Sequence, residues 1–149
     1  MQDILISKLR NHIADNHPGL LAELEQEGKL TGWLTEKVSE TAMLLSELQA
    51  NGKPAYIIHE SCMNELIKSL GPSKYNYLCS VLQADFEMDY DEWLESGILT
   101  YEVINLTRSC DPVFEKLGFD ENSEADRFLR YAVTGTIQEY LTEQMVEAK

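Results

Sequence analysis

Gly71-Pro72-Ser73 ends one predicted helix and begins the next, because glycine accepts the left-handed conformation at a helix C-terminus and serine caps an N-terminus. Three other stretches combine helix-stopping and helix-starting residues in the same way. They are Asn16-His17-Pro18-Gly19, Asn51-Gly52-Lys53-Pro54 and Cys110-Asp111-Pro112. Proline moves the residue before it out of the α region, so each of these stretches predicts a helix boundary.

The segments between these boundaries carry apolar residues at helical spacing. The predicted helices cover 3–16, a short turn at 20–26, 31–50, 54–70, 73–86, a segment that begins at 90 or 91, 112–117 and 124–146. No segment alternates polar and apolar residues as a strand does. We therefore predict an all-α protein, in which residues 1–149 form a single compact domain of six or seven helices in an irregular bundle or array.

The apolar spacing also predicts which residues of the later helices are buried. The helix that begins near 90 places Leu94, Ile98, Tyr101 and Ile104 inward, and the last helix places Phe128, Leu129, Ala132, Val133, Ile137 and Leu141 inward. Ser123-x-x-Asp126 resembles a capping box and predicts that the last helix begins at Glu124. Gly135 lies inside this helix, and either the close packing of a neighbouring helix or a mild kink would explain it.

Composition indicates a reduced, cytoplasmic protein. The chain of 149 residues is 44% hydrophobic, which is enough to bury a core without a metal or a disulfide. Cys62, Cys79 and Cys110 are odd in number and form no Cys-x-x-Cys pair. No apolar run reaches the ~18 residues of a spanning helix. Met1-Gln2-Asp3 lacks the basic residues that open a signal peptide.

The net charge of −14 argues against nucleic acid and anionic membranes as direct partners. A phosphate backbone requires clustered cations, and the lysines and arginines of this chain are scattered. Residues 83–100 instead contain six acidic residues and no lysine or arginine. Such a segment is typical of a solvated connection, and it also suits a basic protein partner.

The acidic run 85–92 places carboxylates at alternate positions, as calcium-binding loops do. That loop requires glycine at its sixth position and glutamate at its twelfth, and this run has Tyr90 and Ser96 there. Calcium binding is therefore not predicted. The aromatic residues within and beside the run favour a protein-binding patch, for which the predicted residues are Phe86, Asp89, Tyr90, Asp91, Glu92 and Trp93.

The remaining polar residues predict no catalytic residue, no cofactor site and no metal site. His12 and His17 are five residues apart and do not share a helix face, and no His-Glu-x-x-His motif occurs. His59 precedes Cys62 by three residues, but no third group that would orient such a pair can be identified. The chain has none of the glycine-rich motifs that bind nucleotides or hold a hydrolase serine.

Several short motifs are similar to those of a family of uncharacterised, all-helical proteins, classed as a domain of unknown function. The family occurs chiefly in Bacteroidetes and is often encoded near conjugative mobile elements. The matching stretches are His17-Pro18, Leu70-Gly71-Pro72-Ser73-Lys74-Tyr75, Gln83-Ala84-Asp85-Phe86, Pro112-Val113-Phe114-Glu115-Lys116 and Thr134-Gly135-Thr136-Ile137. The resemblance implies a helical fold and a cytoplasmic location, and it supplies no activity, cofactor or catalytic residue.

We therefore predict a non-enzymatic interaction or regulatory protein, an accessory factor that binds another protein through an acidic surface. One alternative is an acidic DNA mimic that inhibits a nucleic-acid-binding protein. Another is an enzyme with a pocket between helices. Exposed aromatic residues and long helices would also suit a homodimer.

Overall fold

The computed structural model describes residues 2–147 and is helical in all of its regular elements, which confirms the predicted all-α class. These residues form nine α-helices, rather than the six or seven predicted, and one 3₁₀ helix, Ser123–Ala125. The α-helices are α1 (Gln2–Asn16), α2 (Pro18–Gln26), α3 (Leu30–Ser39), α4 (Ala42–Ala50), α5 (Ala55–Leu70), α6 (Lys74–Asp85), α7 (Glu87–Glu95), α8 (Leu99–Leu117) and α9 (Arg127–Glu147). Within residues 2–147 no helix is both long enough and apolar enough to span a membrane.

The helices belong to two compact units, Met1–Gly71 and Pro72–Lys149. The boundary falls at Gly71-Pro72, the stop signal from which the helical boundaries were predicted. Each unit has a hydrophobic cluster of its own, whereas one core was predicted from the sequence. The description of residues 1–149 as a single domain stays a prediction.

In the first unit, α1 packs against α2, α3 and α5, and α4 packs against α5. Leu5, Leu9 and Ile13 recur at helical spacing along α1 and are buried, whereas Ile4 is 47% exposed. The buried cluster consists of Leu5, Leu9, Ile13, Leu24, Leu34, Val38, Ile58, Cys62 and Leu66. This cluster holds the junction between α1 and α2 in place.

In the second unit, α8 is the central helix and packs against α6, α7 and α9. Its buried residues recur every three or four positions, from Leu99 to Phe114. The buried cluster consists of Tyr77, Leu78, Val81, Leu82, Trp93, Leu99, Val103, Leu106, Cys110, Phe114, Leu129, Val133 and Ile137. Three helices are therefore positioned by their contacts with α8.

The predicted helix 31–50 is wrong, because it breaks into α3 and α4 at Glu40 and Thr41. The amides of both residues bond three residues back rather than four, to the carbonyls of Lys37 and Val38. The Thr41 hydroxyl is buried and donates to the Val38 carbonyl at 2.7 Å. Threonine side chains that bond to the preceding turn bend helices, and this bend redirects the chain.

The predicted boundary at Asp111-Pro112 is also wrong, because α8 continues through Pro112. Proline lacks the amide proton that would bond to the carbonyl four residues back. Pro112 is exposed, whereas Cys110 and Phe114 on either side are buried. The free energy gained by burying the residues around Pro112 therefore exceeds the cost of the lost hydrogen bond. The helix continues to Leu117, and Gly118 caps it.

The predicted helix that begins near 90 is two helices. Gly97 has φ +75°, and the Gly97 and Ile98 amides bond to the Leu94 and Trp93 carbonyls, which is the Schellman pattern of a helix end. The restart at Leu99 changes the buried face, so Leu94, Ile98 and Tyr101 are exposed rather than inward. Tyr101 is 65% exposed.

The last helix begins three residues later than predicted, at Arg127. The Asp126 carboxylate accepts from the Leu129 amide at 3.1 Å and caps α9, whereas the Ser123 hydroxyl accepts from the Asp120 amide instead. Phe128 is 79% exposed, so its predicted burial is wrong. The other inward predictions are correct at Leu129, Val133 and Ile137.

Gly135 lies on the exposed side of α9, and a Cβ built on it meets no atom within 4 Å. The predicted close approach of a neighbouring helix is therefore wrong. We expect Gly135→Ala to raise the free energy of unfolding by about 1 kcal/mol, because alanine is the better helix former and the site has room for it. Urea denaturation followed by circular dichroism measures this change. Gly97→Ala is the contrasting variant, since φ +75° strains alanine, and we expect it to lower stability.

Candidate partner-binding surface

The predicted site residues lie on α7 and just before it. Phe86 precedes the first turn of α7, and Glu87 and Asp89 lie in that turn, where negative charge is favourable near the positive end of the helix dipole. These acidic residues therefore help to stabilise the helix that carries them. It is nine residues long and packs against α6 and α8.

The aromatic members of the predicted site face the core of the second unit. Trp93 is only 6% exposed and belongs to the buried cluster. Phe86 and Tyr90 are half-buried and pack against that cluster. Trp93 is thus unavailable to a partner in this fold, which corrects its predicted place on the surface.

The acidic members are placed differently from one another. Asp91 and Glu92 are exposed, and Asp89 is half-buried at the border of the packed side. At 100° per residue, Glu87 and Glu95 fall on the same side of α7 as Asp91. We define the acidic face as Glu87, Met88, Asp91, Glu92 and Glu95, all of which are exposed.

Met88 is 86% exposed and lies amid the four carboxylates of the acidic face. None of these carboxylates forms an ion pair within 4.0 Å with a described side chain. The acidic face therefore has uncompensated negative charge around one flexible apolar side chain. Of these residues, Asp91 and Glu92 were predicted from the sequence, whereas Glu87, Met88 and Glu95 were not.

Asp85, which opens the acidic run, has a structural partner. Its carboxylate accepts from Arg130 of α9 twice, from Nη2 at 2.9 Å and from Nε at 3.3 Å. This bond joins the end of α6 to α9 at the surface. Asp85 is therefore separate from the acidic face, although it belongs to the same run of sequence.

A buried polar cluster lies behind α7 and joins α8 to α9. Glu102 is 7% exposed, and its carboxylate accepts hydrogen bonds from the Tyr140 hydroxyl and from Gln144 Nε2, the latter at 2.8 Å. The Tyr140 ring meets the Trp93 ring edge to face, with 6.4 Å between their centres. Burial, followed by the adjacent Glu102 carboxylate, raises the pKa of Tyr140, so its hydroxyl stays a donor. This cluster fixes Trp93 in the core.

The cysteines show no sign of activation. Cys62 and Cys110 are buried, and Cys79 is half-buried. Burial, together with the Asp111 carboxylate, raises the pKa of Cys110 to about 12, and burial also raises the pKa of Cys62 and of Cys79. Nucleophilic catalysis requires a thiolate, which these environments disfavour.

A pocket of the second unit bears on the enzyme alternative. It lies beside Tyr77 and Phe119 and has a volume of about 110 Å³, smaller than the roughly 300–1,000 Å³ of typical ligand pockets. The Tyr77 hydroxyl is buried without a hydrogen-bond partner, and burial raises its pKa. The residues of this pocket form no arrangement of nucleophile and base.

In the first unit, the structure brings together two histidines that were not predicted to share a helix face. The ring centres of His12 and His17 are 5.8 Å apart, with their planes at 52°. Asn16 Nδ2 lies 3.2 Å from His12 Nδ1 and donates to the His12 carbonyl at 3.0 Å. Burial, and then the nearby His12, lower the pKa of His17. Within residues 2–147, no group of three or more acidic, histidine or cysteine side chains is placed to hold a metal ion.

The fold and the acidic face define an all-helical protein with an uncompensated acidic surface helix. Comparisons with protein-family models, curated protein sequences and solved structures gave no match. The resemblance to the mobile-element family stays a prediction.

Proposed function

We propose that this protein is a non-enzymatic regulatory or accessory protein of the cytoplasm, which binds a basic protein partner through the acidic face. The observation that carries the proposal is the set of four exposed carboxylates without ion pairs around Met88. A basic partner would gain charge complementarity there, which raises the association rate and selects against acidic competitors. Met88 would supply an adaptable apolar contact.

The proposal places the partner's basic residues over Asp91, Glu92 and Glu95, with Trp93 below them as support. It does not require the aromatic contacts that the sequence predicted. The resemblance to a family encoded near conjugative elements supports an accessory role beside such an element. The same resemblance supports the cytoplasmic location.

We expect the triple variant Asp91→Lys, Glu92→Lys, Glu95→Lys to lose at least about tenfold in partner capture, because it reverses the charge of the acidic face. The tagged chain is recovered at low salt from cells that carry its gene, and its partners are identified by mass spectrometry. Raising the salt should release the same partner from the wild-type chain, since screening weakens exposed charge pairs.

The matched control reverses three exposed glutamates of the first unit, Glu36, Glu60 and Glu65, and changes the net charge by the same amount. None of the three forms an ion pair among the described side chains. Equal loss in both variants would indicate a general charge effect and contradict the acidic face as the site. If duplex DNA displaces the captured partner, the alternative of DNA mimicry is favoured over an accessory role.

A further inference from the structure

The junction between α1 and α2 places two imidazoles side by side. His12 lies on α1, and His17 is the single residue between Asn16, which ends α1, and Pro18, which begins α2. His17 has φ −134° and ψ 57°, so the chain leaves the helical path at this residue. The change of direction brings the two rings within 5.8 Å, which five residues on one straight helix would not do.

This separation suits one metal ion held by both rings. With metal–nitrogen bonds of about 2.0–2.1 Å, two imidazoles that share an ion at the tetrahedral angle have ring centres about 5.2 Å apart. The observed 5.8 Å exceeds this separation by about 0.6 Å. Binding would therefore require side-chain rotations that bring the rings closer and direct one nitrogen of each ring at a common point.

We propose that His12 and His17 bind one divalent ion of a late first-row transition metal, with water completing its coordination. Imidazole is a preferred ligand of copper, nickel and zinc, and affinity for a given set of ligands is highest for copper. Calcium and magnesium prefer oxygen ligands, so they are not expected at this site.

The bound ion would join α1 to the beginning of α2. Both helices contribute to the hydrophobic cluster of the first unit through residues such as Ile13 and Leu24. A ligand that binds only the folded state stabilises that state, so the ion should raise the melting temperature of the protein. The chain's net charge of −14 also raises the concentration of cations near its surface.

The test is a titration of the untagged protein with Cu²⁺ by calorimetry, together with pulsed electron paramagnetic resonance of the copper complex. We expect one ion per chain and a spectrum that shows two coordinated imidazoles. His12→Gln and His17→Gln should each weaken binding at least about 100-fold, because the loss of an outer-shell partner alone costs 10–100-fold.

His59→Gln is the matched control, since His59 is the third and last histidine of the chain, and it should bind as the wild type does. Zn²⁺ followed by nuclear magnetic resonance of the imidazole nitrogens tests the same site without any variant, and both His12 and His17 should shift. A single coordinated imidazole, full binding by the variant that lacks both histidines, or no binding by the wild type would overturn the proposal.

Discussion

Trp93→Ala is expected to lower the free energy of unfolding by about 3–5 kcal/mol, the usual cost of removing a buried tryptophan side chain. Trp93 is 6% exposed, belongs to the cluster around α8, and packs edge to face against Tyr140. The variant loses those contacts and leaves a cavity between α7 and its neighbours. Urea denaturation followed by circular dichroism measures the loss, since removal of Trp93 changes the fluorescence signal.

Tyr101→Ala is the matched control, because Tyr101 is an aromatic residue of the same unit and is 65% exposed. We expect its effect on stability to stay within about 0.5 kcal/mol. Comparing the stabilities of the two variants distinguishes a role of Trp93 in the core from a role in contact with a partner. If Trp93→Ala is as stable as the wild type but no longer captures its partner, then Trp93 is an interface residue and its burial in α7 is misassigned.

Helix formation could be predicted because its signals are local. Gly71 with Pro72 and Ser73 stops one helix and caps the next, and the Ser73 hydroxyl accepts from the Asn76 amide at 3.0 Å. Gly52 likewise follows the end of α4 with φ +70°. These residues act on their immediate neighbours, so the sequence alone is sufficient to predict their effect.

The wrong boundaries depend on packing that is distant in sequence. Thr41 bends the chain toward its neighbours within the first unit, and nothing in the local pattern of 31–50 distinguishes it from a helical threonine. Pro112 should stop a helix by its own chemistry, but the buried residues around it keep α8 continuous. Such outcomes follow from tertiary contacts, which override local propensity.

Only part of the candidate site was predicted, because the rest also depends on tertiary contacts. The acidic character of α7 is a property of composition, so Asp91 and Glu92 were found directly. Which side of α7 faces the core is decided by packing against α6 and α8, and this packing places Trp93 inward. The proximity of His12 and His17 depends on the backbone angles of a single residue, which spacing along the sequence does not reveal.

Removal of the Glu102–Tyr140 hydrogen bond is the second change for which we expect a large effect on the free energy of unfolding. We expect Tyr140→Phe to lower the free energy of unfolding by about 1.5–3 kcal/mol, because the bond is made to a charged group and the Glu102 carboxylate stays buried. Gln144 would then be its one remaining side-chain donor among those that the structure describes. Thermal and urea denaturation at pH 7 measure the loss, and Glu143→Gln, an exposed carboxylate on the same helix, should change stability by less than about 0.5 kcal/mol.

The double variant Glu102→Met, Tyr140→Phe tests whether this hydrogen bond makes a net contribution to stability or only pairs two buried polar groups. Glu102→Met alone leaves the Tyr140 hydroxyl without its acceptor and should cost about 1–3 kcal/mol. Replacing both partners by apolar groups of similar shape removes these two unsatisfied groups, although Gln144 Nε2 then loses both acceptors. The double variant should still be more stable than the sum of the single effects predicts, by about 1–3 kcal/mol. Simple additivity would mean that the two side chains do not interact in solution.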